Sequence, residues 1–328
     1  MSISHCIHIS SNNHAYKNML LSSVQIVLQT KLFKAQYQII KMLEMLISPK
    51  RAERQPFELF FVGVFYASLS ILLVNWIFAQ DSVLSKYSGI LIVTFTVMFS
   101  MPFVYYTIKL EESKITSERG ILALIKEHKK AIYTFLWLFL GFVLAYSVLY
   151  IVLPSNQSFT AQIETYCQIN RPSSFNQCIT EYAINGKVTS KIDTYMSSSQ
   201  RLIAIFSNNI GVLVFTLVFS LIFGAGVIFI LAWNASVIAA AIGVFAKSQI
   251  INLPLGLARY LIHGIPEIAS YFIVALAGGI ISSAAIKHQF KTEKFWETIK
   301  DSFVLIIIAL VVLFAAALME VYITPSLF

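Results

Sequence analysis

Apolar residues in this chain run in blocks of about 20, the length an α-helix needs to cross roughly 30 Å of hydrocarbon at 1.5 Å per residue. Seven such blocks predict transmembrane helices over 57–79, 88–108, 131–153, 209–231, 235–253, 265–286 and 303–323. The fifth is the weakest, being rich in alanine and running into Pro254, Gly256, Gly264 and Pro266. Residues 234–263 therefore read either as a short span or as two half-helices dipping into the membrane, where irregular backbone needs protein or water to satisfy it. The pattern predicts an all-α, polytopic transmembrane bundle of about seven spans with a short or broken fifth element.

Composition strengthens that reading. Of 328 residues, 57% are hydrophobic and only 12% charged, against about a quarter charged in soluble domains. Lys50, Arg51 and Arg54 precede the first block, Lys109, Lys114, Arg119, Lys126, Lys129 and Lys130 follow the second, and Lys287, Lys291, Lys294 and Lys300 follow the sixth. Basic connections stay inside, so a cell-membrane, multi-pass protein with a cytoplasmic N-terminus and an external loop over 154–207 is expected. The formal charge of +8 resides in these connections, which argues against a nucleic-acid partner. The alternating charges of 108–130 read as a solvated helical connection. Residues 1–41, rich in Ser, His and Asn, read as a flexible tail or, as we prefer, as untranslated sequence ahead of a start near Met42. Residues 42–328 then form a single transmembrane domain.

Cys167 and Cys178 lie in the external loop with no histidine nearby to complete a metal set. A disulfide is the expected state there, with two free thiols as the alternative.

Between Asn208 and Ile286 the only ionisable residues are Lys247, Arg259, His263 and Glu267. A charge at a helix centre costs roughly 2.5 to 3.5 kcal/mol on insertion scales, so such groups mark protein interior, wet cavities or function. His263 and Glu267 are four apart, on one helix face. Pro266 between them suits the first turn of a new helix, with Glu267 then favoured by the helix dipole. The pair reads as a proton relay or ligand site, or as a clamp on a helix break; the clamp is preferred because a broken helix must satisfy its free backbone groups. Asn208, Asn209 and Asn234 are candidates for interhelical hydrogen bonds. A catalytic zinc site normally needs three protein ligands, which His263 and Glu267 supply only if Glu320 joins them. The chain also lacks HExxH, GxSxG, P-loop and dinucleotide motifs. No enzyme activity, metal or cofactor is expected.

Three strings carry a resemblance: Phe229-Ile-Leu-Ala-Trp233-Asn234, Ile262-His263-Gly264-Ile265-Pro266-Glu267, and Ala317-Leu-Met-Glu320-Val-Tyr-Ile-Thr324-Pro325. With Asn208-Asn209 and the opening Met45-Leu-Ile-Ser-Pro49, they resemble the stage II sporulation protein M family in its archaeal form, over about residues 42–325. Where the family commonly has Pro-His-Gly and Asn-Gly, this chain has Ile262-His263-Gly264 and Asn234-Ala235, which shifts the expected helix break. The resemblance implies an integral membrane component of a complex in which partners perform envelope chemistry. The expectation is a non-enzymatic scaffold with the bilayer and envelope or membrane proteins as partners, a homo-oligomer remaining open. The alternative is a transporter or channel using the polar residues, and less favoured is an intramembrane metalloenzyme.

Overall fold

Long apolar runs leave the backbone no hydrogen-bond partner but itself, and helices are the result. The computed structural model describes residues 46–78, 80–113, 121–153, 156–170, 174–185, 197–223, 228–246, 250–286 and 292–328, and among these there is no strand. The tail over 1–41, the proposed start at Met42 and Lys247 lie outside the described residues. A short helix α1 (Pro49–Arg54) leads into α2 (Glu58–Phe78), α3 (Ser88–Ser113) and α4 (Ile121–Val152). A cap of two short helices, α5 (Thr160–Asn170) and α6 (Phe175–Ile179), precedes α7 (Ser198–Phe223), α8 (Ile228–Ala246), α9 (Leu253–Ile286) and α10 (Glu293–Leu318). A π-helix at Met319–Ile323 and a last turn, α11 (Thr324–Leu327), complete the chain. Seven helices are long and apolar enough to cross a membrane.

Span number and type agree with the apolar pattern; boundaries in the second half do not. The fourth span ends at Phe223 and the fifth begins at Ile228, where the sequence places one uninterrupted block. Residues 224–227 lie outside the described residues and their sequence, Gly-Ala-Gly-Val, carries no charge, so hydropathy shows no sign of the two bounds. The polar segment expected over 154–207 accordingly ends near Ser198, where α7 begins. The helix break expected around His263 to Pro266 is absent: α9 runs for 34 residues, about 51 Å, straight through Pro266. Proline there removes one ladder bond, which packing against neighbouring helices offsets. The discontinuity falls earlier, before the 3-10 turn at Ile250–Asn252.

The bundle is organised around α9. The sixth span is 78% buried along its most apolar stretch, the fourth only 17%. α9 packs most extensively on α10 and also lies against α7 and α8, while α4 pairs with α2 and α8. Close approach of α2 and α4 depends on glycine: a Cβ at Gly63 would meet the carbonyl oxygen of Leu138, and one at Gly141 that of Phe60. Such small-residue seams drive helix packing in lipid, where the hydrophobic effect between helices is absent. Phe135 stacks on Phe272 with centroids 5.3 Å apart, joining α4 to α9.

Alternation of the spans gathers the start of α2, the ends of α3 and α9 and the starts of α4 and α10 at one end, which carries Arg51, Lys109, Lys129, Lys130 and Lys300. Thr134 Oγ1 donates to the carbonyl of Ala52 at 3.3 Å, seating α1 at this basic end. The opposite end bears the cap, held by the Cys167–Cys178 disulfide with Cα atoms 5.8 Å apart. Gln162 Nε2 donates from α5 to the carbonyl of Gly89 at 2.9 Å and to Ser236 Oγ at 3.2 Å, tying the cap to α3 and α8.

A polar cluster beneath the cap

The constellation at the cap end is assembled from helices far apart in sequence. His263 Nδ1 lies 3.1 Å from Thr324 Oγ1, and Thr324, itself buried, donates to the carbonyl of Met319. One turn along α9, Glu267 Oε1 accepts from the hydroxyl of buried Tyr271 at 3.1 Å. Glu320, on the π-helix, is near enough to Glu267 for the two carboxylates to act on each other, and Arg201 at the start of α7 acts on Glu320 from the other side. Arg259 stands beside His263, with its guanidinium 5.8 Å from the centroid of the Phe245 ring. Tyr260, next along α9, hydrogen-bonds Tyr166 of the cap. A π-helical turn widens the helix and re-aims side chains, and such turns recur at functional sites; here it presents Glu320 toward α9.

Depth follows from counting. About 20 residues cross the hydrocarbon, so moving back from Ile286 along α9 reaches Glu267, and moving on from Asp301 along α10 reaches Val321. Both carboxylates therefore sit where the apolar layer ends on the cap side, with Arg201, Arg259 and His263 at or just beyond it. Both are part-exposed.

His263, Glu267 and Glu320 thus come together, as three of the sequence-level candidates, with Thr324, Tyr271, Arg201 and Arg259 added. Thr324 enters the sequence reading only as part of the resemblance string, and Tyr271 escapes it because a lone hydroxyl in an apolar run carries no signature. Asn234 is elsewhere: it lies inside α8 and its Nδ2 donates to the carbonyl of Ile230 at 2.7 Å, an intrahelical bond where an interhelical one was expected. Asn208 and Asn209, on α7, bond to each other at 3.2 Å. Cys167 and Cys178 are fully buried and bonded. Among the described residues no three His, Cys, Asp or Glu side chains are grouped as a metal-ligand set.

A second polar pair went unnoticed in the sequence. Glu111 Oε2 and His128 Nδ1 lie 2.6 Å apart at the basic end, their side chains 0% and 1% exposed. The expectation of a solvated connection over 108–130 is therefore corrected at these two positions, because α3 and α4 extend past the apolar runs and bury the pair between them. An apolar cavity of about 10 Å³ between α3, α4, α8 and α9, lined by Ile108, Phe135, Leu231, Phe272 and Leu276 among others, has room for about one water. None of its lining residues belongs to the polar cluster.

Fold and cluster together define a multi-pass α-helical membrane protein with a polar site at one end. A family model described as Stage II sporulation protein M matches residues 127–325. That covers well over half of the 328 residues, and the chain belongs to this family. The match takes in the third to seventh spans, the cap and every member of the cluster. No curated protein and no solved structure matches the chain.

Proposed function

We propose that the protein is a non-enzymatic membrane scaffold of the cell membrane that holds envelope proteins at its external, cap-bearing end. The observation behind the reading is the meeting of His263, Glu267, Glu320 and Thr324 at the cap-side edge of the apolar layer, beneath a disulfide-braced cap that is itself tied to α9 through Tyr166 and Tyr260. Transporter sites typically lie near the bilayer midplane on broken helices; here the polar groups are at one edge and α9 is continuous. Part-exposed acidic groups give a partner directional contacts, and the neighbouring cap holds them in place. The positive-inside bias puts this end outside.

Chemical crosslinking in native membranes tests the reading. The expected product joins this chain to a different polypeptide through the cap end, and recovery of this chain alone contradicts it. Two neighbouring carboxylates also suit a bound proton or cation, which favours transport as the second reading. Ion flux in proteoliposomes that Glu267→Gln abolishes would put transport ahead of the scaffold.

A further inference from the structure

We propose that the basic end carries a binding site for the phosphate headgroup of an anionic phospholipid, formed where α1 lies against the start of α4. Lys50 and Arg54 of α1 and Lys126 and Lys130 of α4 gather there, all of them exposed. None makes a hydrogen bond or ion pair among the described residues. Two other basic residues at this end are already engaged: Arg51 pairs with Glu58 through two bonds of 2.8 Å, and Lys109 Nζ lies 6.0 Å from the centroid of the Tyr105 ring.

The open cations are held in position by the fold. The contact of Thr134 Oγ1 with the carbonyl of Ala52 seats α1 on α4. Lys130 is one helical turn from that contact on α4, and Lys50 and Arg54 lie two residues to either side of it on α1. Through Arg51 and Glu58 the same short helix is tied to the first turn of α2. Toward the apolar layer the surface then turns aromatic. Lys126, Lys130, Tyr133 and Trp137 are spaced to share one face of α4. Trp137 meets Phe57 edge-on at 4.9 Å, and Phe57 meets Phe61 in the same way at 5.2 Å. Tyr133, Phe57 and Phe61 are each more than half exposed.

Charge and order together name the occupant. From Lys130 to Trp137 is about 10 Å along the helix, over which cation gives way to ring and ring to aliphatic span, the order of a lipid from headgroup to chain. A basic residue near an anionic lipid surface strengthens binding about fivefold, and the planar fork of Arg54 suits two phosphate oxygens at once. A polypeptide would have to bring acidic groups and also cover aromatic surface at the level of the hydrocarbon. One phospholipid molecule does both. The inference does not depend on what binds at the cap end.

The test uses the full-length protein in vesicles of equal phosphatidylglycerol and phosphatidylcholine, with a photoactivatable phenylalanine in place of Tyr133 and the attached lipid identified by mass spectrometry. Phosphatidylglycerol adducts are expected to outnumber phosphatidylcholine adducts more than about tenfold. Lys130→Gln and Arg54→Gln each lower that ratio about fivefold and together bring it near one, with helix content unchanged. Lys300→Gln, on α10, which packs on α9 and α7, leaves the ratio as it was. Equal yields of the two adducts in the parent overturn the proposal, as does an adduct with a second copy of the chain in place of lipid. A preference that Lys300→Gln lowers as far as Lys130→Gln does also overturns it, because the effect is then one of diffuse charge and not of a site.

Discussion

Glu111 and His128 meet 2.6 Å apart at the basic end with essentially no exposed surface, whereas His263 and Glu267 at the cap end turn away from each other, one to Thr324 and the other to Tyr271. Each end has a carboxylate and an imidazole, yet the first pair is sealed between two helices and the second is opened into a wider, part-exposed cluster with Glu320 and Arg201. A sealed pair fastens α3 to α4. The other pair bonds to a hydroxyl on each side and lies part-exposed, so less of its surface is committed to holding the helices together. The same residue types are sealed at one end and part-exposed at the other, and on the proposed reading burial decides which can meet a partner.

That contrast predicts a graded series. His128→Leu leaves the Glu111 carboxylate buried without its imidazole, and breaking such a pair costs about 3–5 kcal/mol; unfolding in nanodiscs followed by denaturant titration should show the largest loss here. Replacing Cys167 and Cys178 together by serine removes a link between residues 11 apart, for which the chain-entropy model gives about 3 kcal/mol. The loss should be confined to the cap, seen as faster hydrogen exchange over 156–185 with the spans unchanged. Glu267→Gln with Glu320→Gln replaces two neighbouring carboxyl groups by amides while Tyr271 keeps an acceptor, so stability should stay within about 1 kcal/mol of the parent. A loss as large as that of His128→Leu would mean that the cluster is a structural clamp after all.

The smallest effect concerns Asp81, in the connection between α2 and α3. Its Oδ1 accepts from the backbone N–H groups of Val83 and Leu84, each at 2.8 Å. The bond from Leu84, then that from Val83, holds the carboxyl below the usual carboxylate range. A depressed value means that the stabilisation is present above the unfolded carboxyl's ordinary value and is lost as pH falls through the lower, folded one. Protection of residues 80–87 against hydrogen exchange, taken relative to the intrinsic rate at each pH, should therefore fall only in acid, and Asp81→Asn should remove that acid-specific loss.

Much of this was legible in the sequence. The number of spans, their helical type and the disulfide follow from apolar run length and from two cysteines in a polar segment, both of which express strong, local physics. His263, Glu267 and Glu320 stand out because ionisable groups are rare in apolar runs. What failed was whatever lacks a polarity signal. That α7 ends at Phe223 and α8 begins at Ile228 is invisible to hydropathy, and Pro266 invites a helix break that the packing of α9 overrides. Glu111 and His128 hide in a charge-rich segment because sequence reading credits neighbouring lysines and glutamates alike to solvent, while helix extension buries two of them. Thr324 gains its contact with His263 only from the fold, 61 residues apart in sequence, whereas Tyr271 bonds Glu267 one turn away.

The most direct measurement places a photoactivatable crosslinker at Tyr322, exposed beside Glu320, in the protein expressed in its native membrane. Three backgrounds are compared: parent, Glu267→Gln with Glu320→Gln, and Glu111→Gln as a change at the sealed end. The account predicts an adduct with a different envelope protein in the parent, its loss in the double variant and its retention in whatever folded Glu111→Gln protein reaches the membrane. An adduct that survives loss of both cap-end carboxylates would contradict it.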